Sequence, residues 1–241
     1  MHFAAPLKPA ARRPPPICTC LNVQTLILMP DFFADQRPHD GLRYDEYRDD
    51  WKRQIDDPPA DGADASERRM HHFLTYNWER QAQVHEAYEP SAALQAAVNA
   101  IDEPQVWMVL TEPWCGDSAF LLPVIAEAAG LSDHVSLRIL LRDDNLDIMD
   151  QYLTGGSRSI PKLVAFSEDG EELFSWGPRP QAAARQFEAL SEKYDDKMEL
   201  IDEFLDHYEE GGWTDADEEL VNRLQPVVGS SGSVAVPESQ S

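Results

Sequence analysis

The sequence predicts an α/β fold: a central mixed sheet flanked by helices, with a helical region added on its N-terminal side. Three observations carry this reading. Residues 105–110, 135–141 and 162–166 are short apolar runs of the buried-strand type. Helix-patterned segments at 118–129 and 145–153 separate them, which favours parallel pairing through crossover helices in the first half. Glu168-Asp169-Gly170-Glu171 then turns the chain into a last strand at 172–176, an antiparallel hairpin.

The elements come in order. Residues 1–28 hold Lys8, Arg12 and Arg13, then Pro14-Pro15-Pro16, then an apolar stretch interrupted by Asn22 and Gln24. The prolines and the lack of a small-x-small cleavage pattern argue against a signal peptide. The segment reads as a disordered leader or a mis-assigned start, with Met29 as the expected first residue. Tyr44, Tyr47, Trp51 and Ile55 recur with helical spacing over 42–55, and the Asp- and Pro-rich stretch 56–62 ends that helix. A second helix spans 66–88, started by Ser66-Glu67, with Met70, Phe73, Leu74, Asn77 and Trp78 near one face. These two helices make 29–90 the helical extension. Leu94, Ala97, Val98 and Ile101 stripe a helix at 92–101, which opens the α/β domain at 91–210. Gly130 stops the helix at 118–129, and Gly155-Gly156 marks a loop. A single long acidic helix is expected over 181–208. From Gly211 onward Gly, Ser, Pro and Glu dominate, so 211–241 reads as a flexible acidic tail.

The bulk composition excludes several function classes. Twenty basic residues against 44 acidic ones give a formal charge of −24, which opposes nucleic-acid and anionic-lipid partners. No stretch approaches the ~20 apolar residues of a membrane span. Of the three cysteines, Cys18 and Cys20 lie too close together to staple distant elements. A reducing, cytoplasmic setting is expected. His71, His72 and His85 share one helical segment, yet adjacent histidines point to different faces and His72 and His85 are too far apart to chelate. The acidic run from 188 to 219 lacks the Asp-x-Asp-x-Asp-Gly loop of a calcium site. No metal and no cofactor is expected.

Chemistry concentrates in Trp114-Cys115-Gly116-Asp117-Ser118. It closes an apolar run and precedes a helix, which places a thiol where the helix dipole favours the thiolate. Other cysteine chemistries fail on spacing. Met108 and Glu112 stand where a peroxiredoxin-type site wants proline and threonine, and Leu121 stands where a phosphatase loop needs arginine.

The element order and four matches resemble the thioredoxin family. Trp114-Cys115-Gly116 matches the start of W-C-G-P-C, and Pro123 matches the proline inside the active-site helix. Ser159-Ile160-Pro161 is similar to the cis-proline loop, and Gly177 falls sixteen residues beyond Pro161, where the family has a glycine. The longer stretches Leu140-Leu141-Arg142-Asp143-Asp144-Asn145, Asp150-Gln151-Tyr152-Leu153 and Trp176-Gly177-Pro178-Arg179-Pro180 resemble a bacterial thioredoxin-like group with a helical N-terminal extension. That group commonly keeps only the first cysteine.

The resemblance implies a thiol-disulfide site in which Cys115 attacks a client disulfide and the backbone of Ile160, beside Trp114 and Pro161, docks an extended client chain. Ser118 replaces the second cysteine, and Val109 replaces the family's buried acid, so the two-cysteine cycle is excluded within this motif. The expectation is monothiol exchange through Cys115, with the Ser118 hydroxyl donating to its thiolate. The clients would be proteins or low-molecular-weight thiols and disulfides. Glu112 and Asp117 oppose thiolate formation, and Lys162 and Arg158 are the expected counter-charges. The alternative is a redox-silent module that binds an extended polypeptide. Cys20 is a candidate remote resolving thiol.

Overall fold

The computed structural model describes residues 29–230. The expectations for 1–28, including Cys20 as a resolving thiol, and for 231–241 lie outside the described residues. On the N-terminal side are α1 (Asp31–Ala34), α2 (Tyr44–Asp56), α3 (Ala65–Ala87) and α4 (Ala92–Asn99). The sheet region alternates β1 (Gln105–Thr111), α5 (Gly116–Ala129), β2 (Val135–Leu141), α6 (Leu146–Met149), β3 (Lys162–Ser167) and β4 (Glu172–Trp176). Then come α7 (Gln181–Lys193), α8 (Lys197–Glu209) and α9 (Asp215–Ser230).

The four strands are ordered β2-β1-β3-β4. β1 and β2 are parallel across the α5 crossover, while β1–β3 and β3–β4 are antiparallel. Every residue of β1 is buried because helices cover both faces of the sheet. Side chains alternate between the faces. Trp107 and Val109 pack with Phe120, Leu121 and Ile125 of α5, whereas Val106, Met108 and Leu110 pack with Phe33, Met149 and Phe166. The fold class is the one the sequence implies.

Local signals explain the helix starts. Asp64 accepts hydrogen bonds from Ser66 N and Glu67 N, and the Glu67 carboxylate accepts one from Asp64 N, closing a capping box at the start of α3. Ser91 Oγ accepts from Leu94 N at the start of α4. The N-terminal helices share the main core, since Tyr47, Trp51, Leu74 and Val84 belong to the same buried cluster as α5.

Three expectations need correction. The helix expected at 181–208 is two helices, because Tyr194 is extended and Asp196 caps a new start at Met198 N and Glu199 N. The helix expected at 145–153 is only the single turn α6. Residues 215–230 are helical and not a flexible tail. Ala216, Leu220, Val221 and Leu224 are buried at helical spacing, a periodicity that the surrounding Gly, Ser and Glu content conceals.

Two carboxylates hold α9 in place. Asp217 accepts from Tyr88 Oη (2.7 Å), Ser91 N (2.9 Å) and Ser91 Oγ (2.5 Å). Glu219 accepts from Trp176 Nε1 (2.8 Å) and from Gln181 N (2.6 Å) at the start of α7. No helix among the described residues is long and apolar enough to cross a membrane.

Candidate functional site

Cys115 is the N-cap of α5, with extended backbone, and its carbonyl accepts from Ala119 N. Asn77 Nδ2 of α3 donates to Pro113 O (3.1 Å) and fixes the loop that carries the motif. The thiol faces inward. Cys115 is 9% exposed, and its Sγ donates to Ile160 O at 3.4 Å. Ile160 and Pro161 are themselves buried, and the peptide bond between them is cis. Gly177 has φ +106°, and a Cβ there would collide with Pro161 O, so glycine is required on two counts. The sequence-derived residues Trp114, Cys115, Gly116, Asp117, Ser118, Ile160 and Pro161 therefore lie around one point, where the start of α5 meets the loop before β3.

Several polar groups around the thiol are engaged with one another, while the buried Tyr47 hydroxyl has no hydrogen-bond partner among the described residues. Thr111 Oγ1 donates to Ser118 Oγ (2.7 Å), and Ser118 is 3% exposed. That bond uses the Thr111 proton and leaves the Ser118 proton free for the sulfur. Glu112 Oε1 accepts from Asp143 N (2.8 Å), and burial pushes the Glu112 carboxyl up. The Arg142 guanidinium lies 4.8 Å from the Trp114 ring centre and reaches Arg158 O.

Asp117 is tied to elements far away in sequence. It accepts from Arg179 Nε (3.1 Å), Arg179 Nη2 (2.6 Å) and Tyr208 Oη (2.9 Å). Arg179 is packed over the rings of Phe187 (4.1 Å) and Phe204 (4.9 Å). Tyr208 stacks on Phe120 (5.2 Å), and Leu205 sits so close to Gly116 that a Cβ there would lie 3.0 Å from Leu205 Cδ2. Helix α8 thus lies across the residue after the cysteine.

A family model described as thioredoxin matches residues 65–196, more than half of the chain. The chain belongs to the thioredoxin family. No curated protein matches it. Two solved structures align with this thioredoxin-family chain, an HIV epitope scaffold and a protein of unknown function from Pseudomonas aeruginosa. Each is 20% identical, covers 77% of this chain and 99% of its own, and gives a TM-score of 0.47. The family match takes in α3 and ends at the start of α8, so α8 and α9 lie beyond the matched span.

The electrostatics of the thioredoxin-type cysteine differ from what the sequence suggests. Burial, then the Asp117 charge, pushes the Cys115 thiol up to about 11, against the opposing effects of hydrogen bonds from Ser118 and the charge of Arg179. The thiol is therefore protonated at neutral pH. Lys162 and Arg158 are not the compensating cations. Arg158 is paired with Asp150 (2.7 Å), and Lys162 is half-buried, its pKa lowered by burial. The cation at the site is Arg179, two residues beyond Gly177 in the Trp176-Gly177-Pro178-Arg179-Pro180 stretch. Neither Arg179 nor Tyr208 carries a local signal, since each acts through a contact more than 60 residues away in sequence.

The histidines sit apart from the site. His71 pairs with Ile55 O, His72 is exposed beside Tyr76, and His85 bridges Tyr44 Oη (2.8 Å) and Glu127 (3.2 Å). No group of three or more metal-ligating side chains occurs among the described residues.

Proposed function

We propose that this thioredoxin-family protein is redox-silent at rest and works as a binding module for an extended polypeptide or partner protein. One observation carries the reading: the Cys115 thiol is buried, neutral and committed to Ile160 O. Thiol-disulfide exchange requires an accessible thiolate in line with a client sulfur. Here neither condition holds at neutral pH. The family's client-docking carbonyl, Ile160 O, accepts from the chain's own thiol, so a docking client replaces that one hydrogen bond and needs no thiolate.

Monothiol exchange is the second reading, favoured by the position of Cys115 at the N-terminus of the 14-residue α5 beside the Ser118 hydroxyl. Its substrates would be protein or low-molecular-weight thiol and disulfide clients. The discriminating experiment is the difference in thiolate absorbance between the wild type and Cys115→Ala across pH, which cancels Cys18 and Cys20, together with trapping of glutathione on Cys115 by oxidised glutathione. The redox-silent reading expects a midpoint about two units above the ordinary thiol and no adduct at pH 7. A midpoint below about 8 with rapid adduct formation overturns it.

A further inference from the structure

We propose that α8 is an intramolecular cover over the Cys115 site and opens by local unfolding while the rest of the fold stays intact. The proposal rests on the redox-silent reading of the buried thiol and supplies its regulation.

The geometry gives α8 a latch. Tyr208 Oη reaches the Asp117 carboxylate, which Arg179 also grips, and Phe204 covers the guanidinium of that same Arg179. Leu205 seals Gly116, and Tyr208 stacks on Phe120 of α5. These contacts gather at the first turns of α5, next to the thiol. None of them involves a strand, so their loss leaves the sheet and its packing in place. Further ties run to α3, where Arg80 pairs with the exposed Glu209 (3.1 Å), and to α7, where Lys193 pairs with the exposed Glu203 (3.7 Å) and Phe187 meets Phe204 edge-on (5.2 Å). Ion pairs with an exposed partner add little.

The flanking segments are built to stay while α8 leaves. At one end Tyr194 is extended and Asp196 begins the helix afresh. At the other end Gly211 has φ +101°, a left-handed turn that separates α8 from α9. Beyond it, α9 is anchored independently by Asp217 and Glu219. The covering helix is thus a strap held at both ends by elements with their own attachments.

Intrinsic helix stability is low in this strap. Glu199, Asp202, Glu203, Asp206 and Glu209 outnumber the single Lys197 within it, and Glu209 and Glu210 stand at the C-terminal end, where the helix dipole disfavours negative charge. Its folding therefore depends on tertiary contacts, the latch and the burial of Leu200, Phe204, Leu205 and Tyr208, and it opens once these are released. An opened α8 uncovers Gly116 and the Asp117 carboxylate, the residues next to Cys115, and so gives water and a client chain a way to the thiol from the start of α5.

The test is alkylation of Cys115 by iodoacetamide in the full-length protein, tracked peptide by peptide by mass spectrometry over a series of sub-denaturing urea concentrations. The urea slope reports the surface exposed in the opening that admits the reagent. Local opening of α8 predicts slow labelling with a slope well under half that of global unfolding. Leu205→Ala and Tyr208→Phe are each expected to speed labelling by roughly tenfold without an equal loss of global stability. A slope equal to the global one, or no slope with rates unchanged in both variants, overturns the cover and leaves the redox-silent reading standing. Labelling at the rate of a free thiol without urea, with a low midpoint in the difference titration, overturns that reading instead.

Discussion

Helices α8 and α9 both lie beyond the family's matched span, yet they are attached in opposite ways. α9 sends its own carboxylates inward: Asp217 and Glu219 satisfy backbone amides at the starts of α4 and α7 and the polar tips of Tyr88 and Trp176. α8 keeps its acids exposed, two of them in ion pairs with Arg80 and Lys193, and is gripped from the site through Asp117 and Arg179. Acidity alone therefore does not decide whether a helix holds. What matters is whether the carboxylate finds donors that would otherwise be unsatisfied. Both helices bury apolar residues in the main core, Leu200, Phe204, Leu205 and Tyr208 from α8 and Ala216, Leu220, Val221 and Leu224 from α9, but α9 adds carboxylate bonds to backbone amides that α8 does not make.

The strongest way to break this contrast is Asp217→Ala. It strips three donors of their acceptor, one of them the Tyr88 hydroxyl buried in the main cluster. The expected loss is about 2–4 kcal/mol of global stability, read as a fall in the urea midpoint without a large change in slope. A loss below about 0.5 kcal/mol would mean that α9 is no better anchored than α8. Next in size is the pH dependence of the covered thiol. The Cys115 pKa in the folded protein is raised above its unfolded value, so its contribution is fully present below that value and is lost as pH rises towards about 11. Between about pH 8.5 and 11 the wild type should lose roughly 2–3 kcal/mol relative to Cys115→Ala, measured as paired urea midpoints. Parallel curves for the two proteins would show that the folded protein does not keep the thiol dry.

Smaller still is Glu219→Gln. Trp176 Nε1 and Gln181 N use different oxygens of Glu219, so the glutamine keeps an acceptor for one of them and sets an NH2 group against the other, and about 1–2 kcal/mol should be lost, from global stability alone. Cys115 labelling below the unfolding transition should not change. If it accelerates, α9 and α8 open as one unit and the contrast between them collapses.

The same contrast marks what is legible in the sequence. The sheet is legible because its runs are short, apolar and separated by helix-length segments, and because one Asp-Gly turn closes the hairpin. The site's location is carried by Trp114-Cys115-Gly116, Pro123, Ser159-Ile160-Pro161 and Gly177. Its chemical state is not, because that depends on burial of Cys115 among residues distant in sequence, such as Phe32, Met149 and Ile160, and on Asp117, whose partners Arg179 and Tyr208 are equally distant. Arg179 and Tyr208 illustrate the limit, since no spacing rule joins either to Asp117. In the C-terminal stretch composition outweighs period: Ala216, Leu220, Val221 and Leu224 make a helical face among residues that favour disorder. The break at Tyr194–Asp196 does have a local signal, an N-cap aspartate three positions before Glu199, which the continuous acidic run obscures.

The smallest expected effect is the sharpest on α8 itself. Glu210 is exposed at the C-cap of α8, outside the latch and away from the core. Glu210→Lys removes a negative charge from the end of the helix dipole that repels it and puts a cation there instead. This is worth about 0.3–1 kcal/mol at low ionic strength. Because the side chain is exposed and takes no part in the latch or in the anchoring of α9, the gain acts on the folding of α8. Cys115 labelling should slow by roughly two- to fivefold, and the slowing should shrink as salt is added. The global urea midpoint should stay within error. If Glu210→Lys leaves the labelling rate untouched while the midpoint rises, α8 unfolds only with the whole molecule and differs from α9 in its charges but not in its stability.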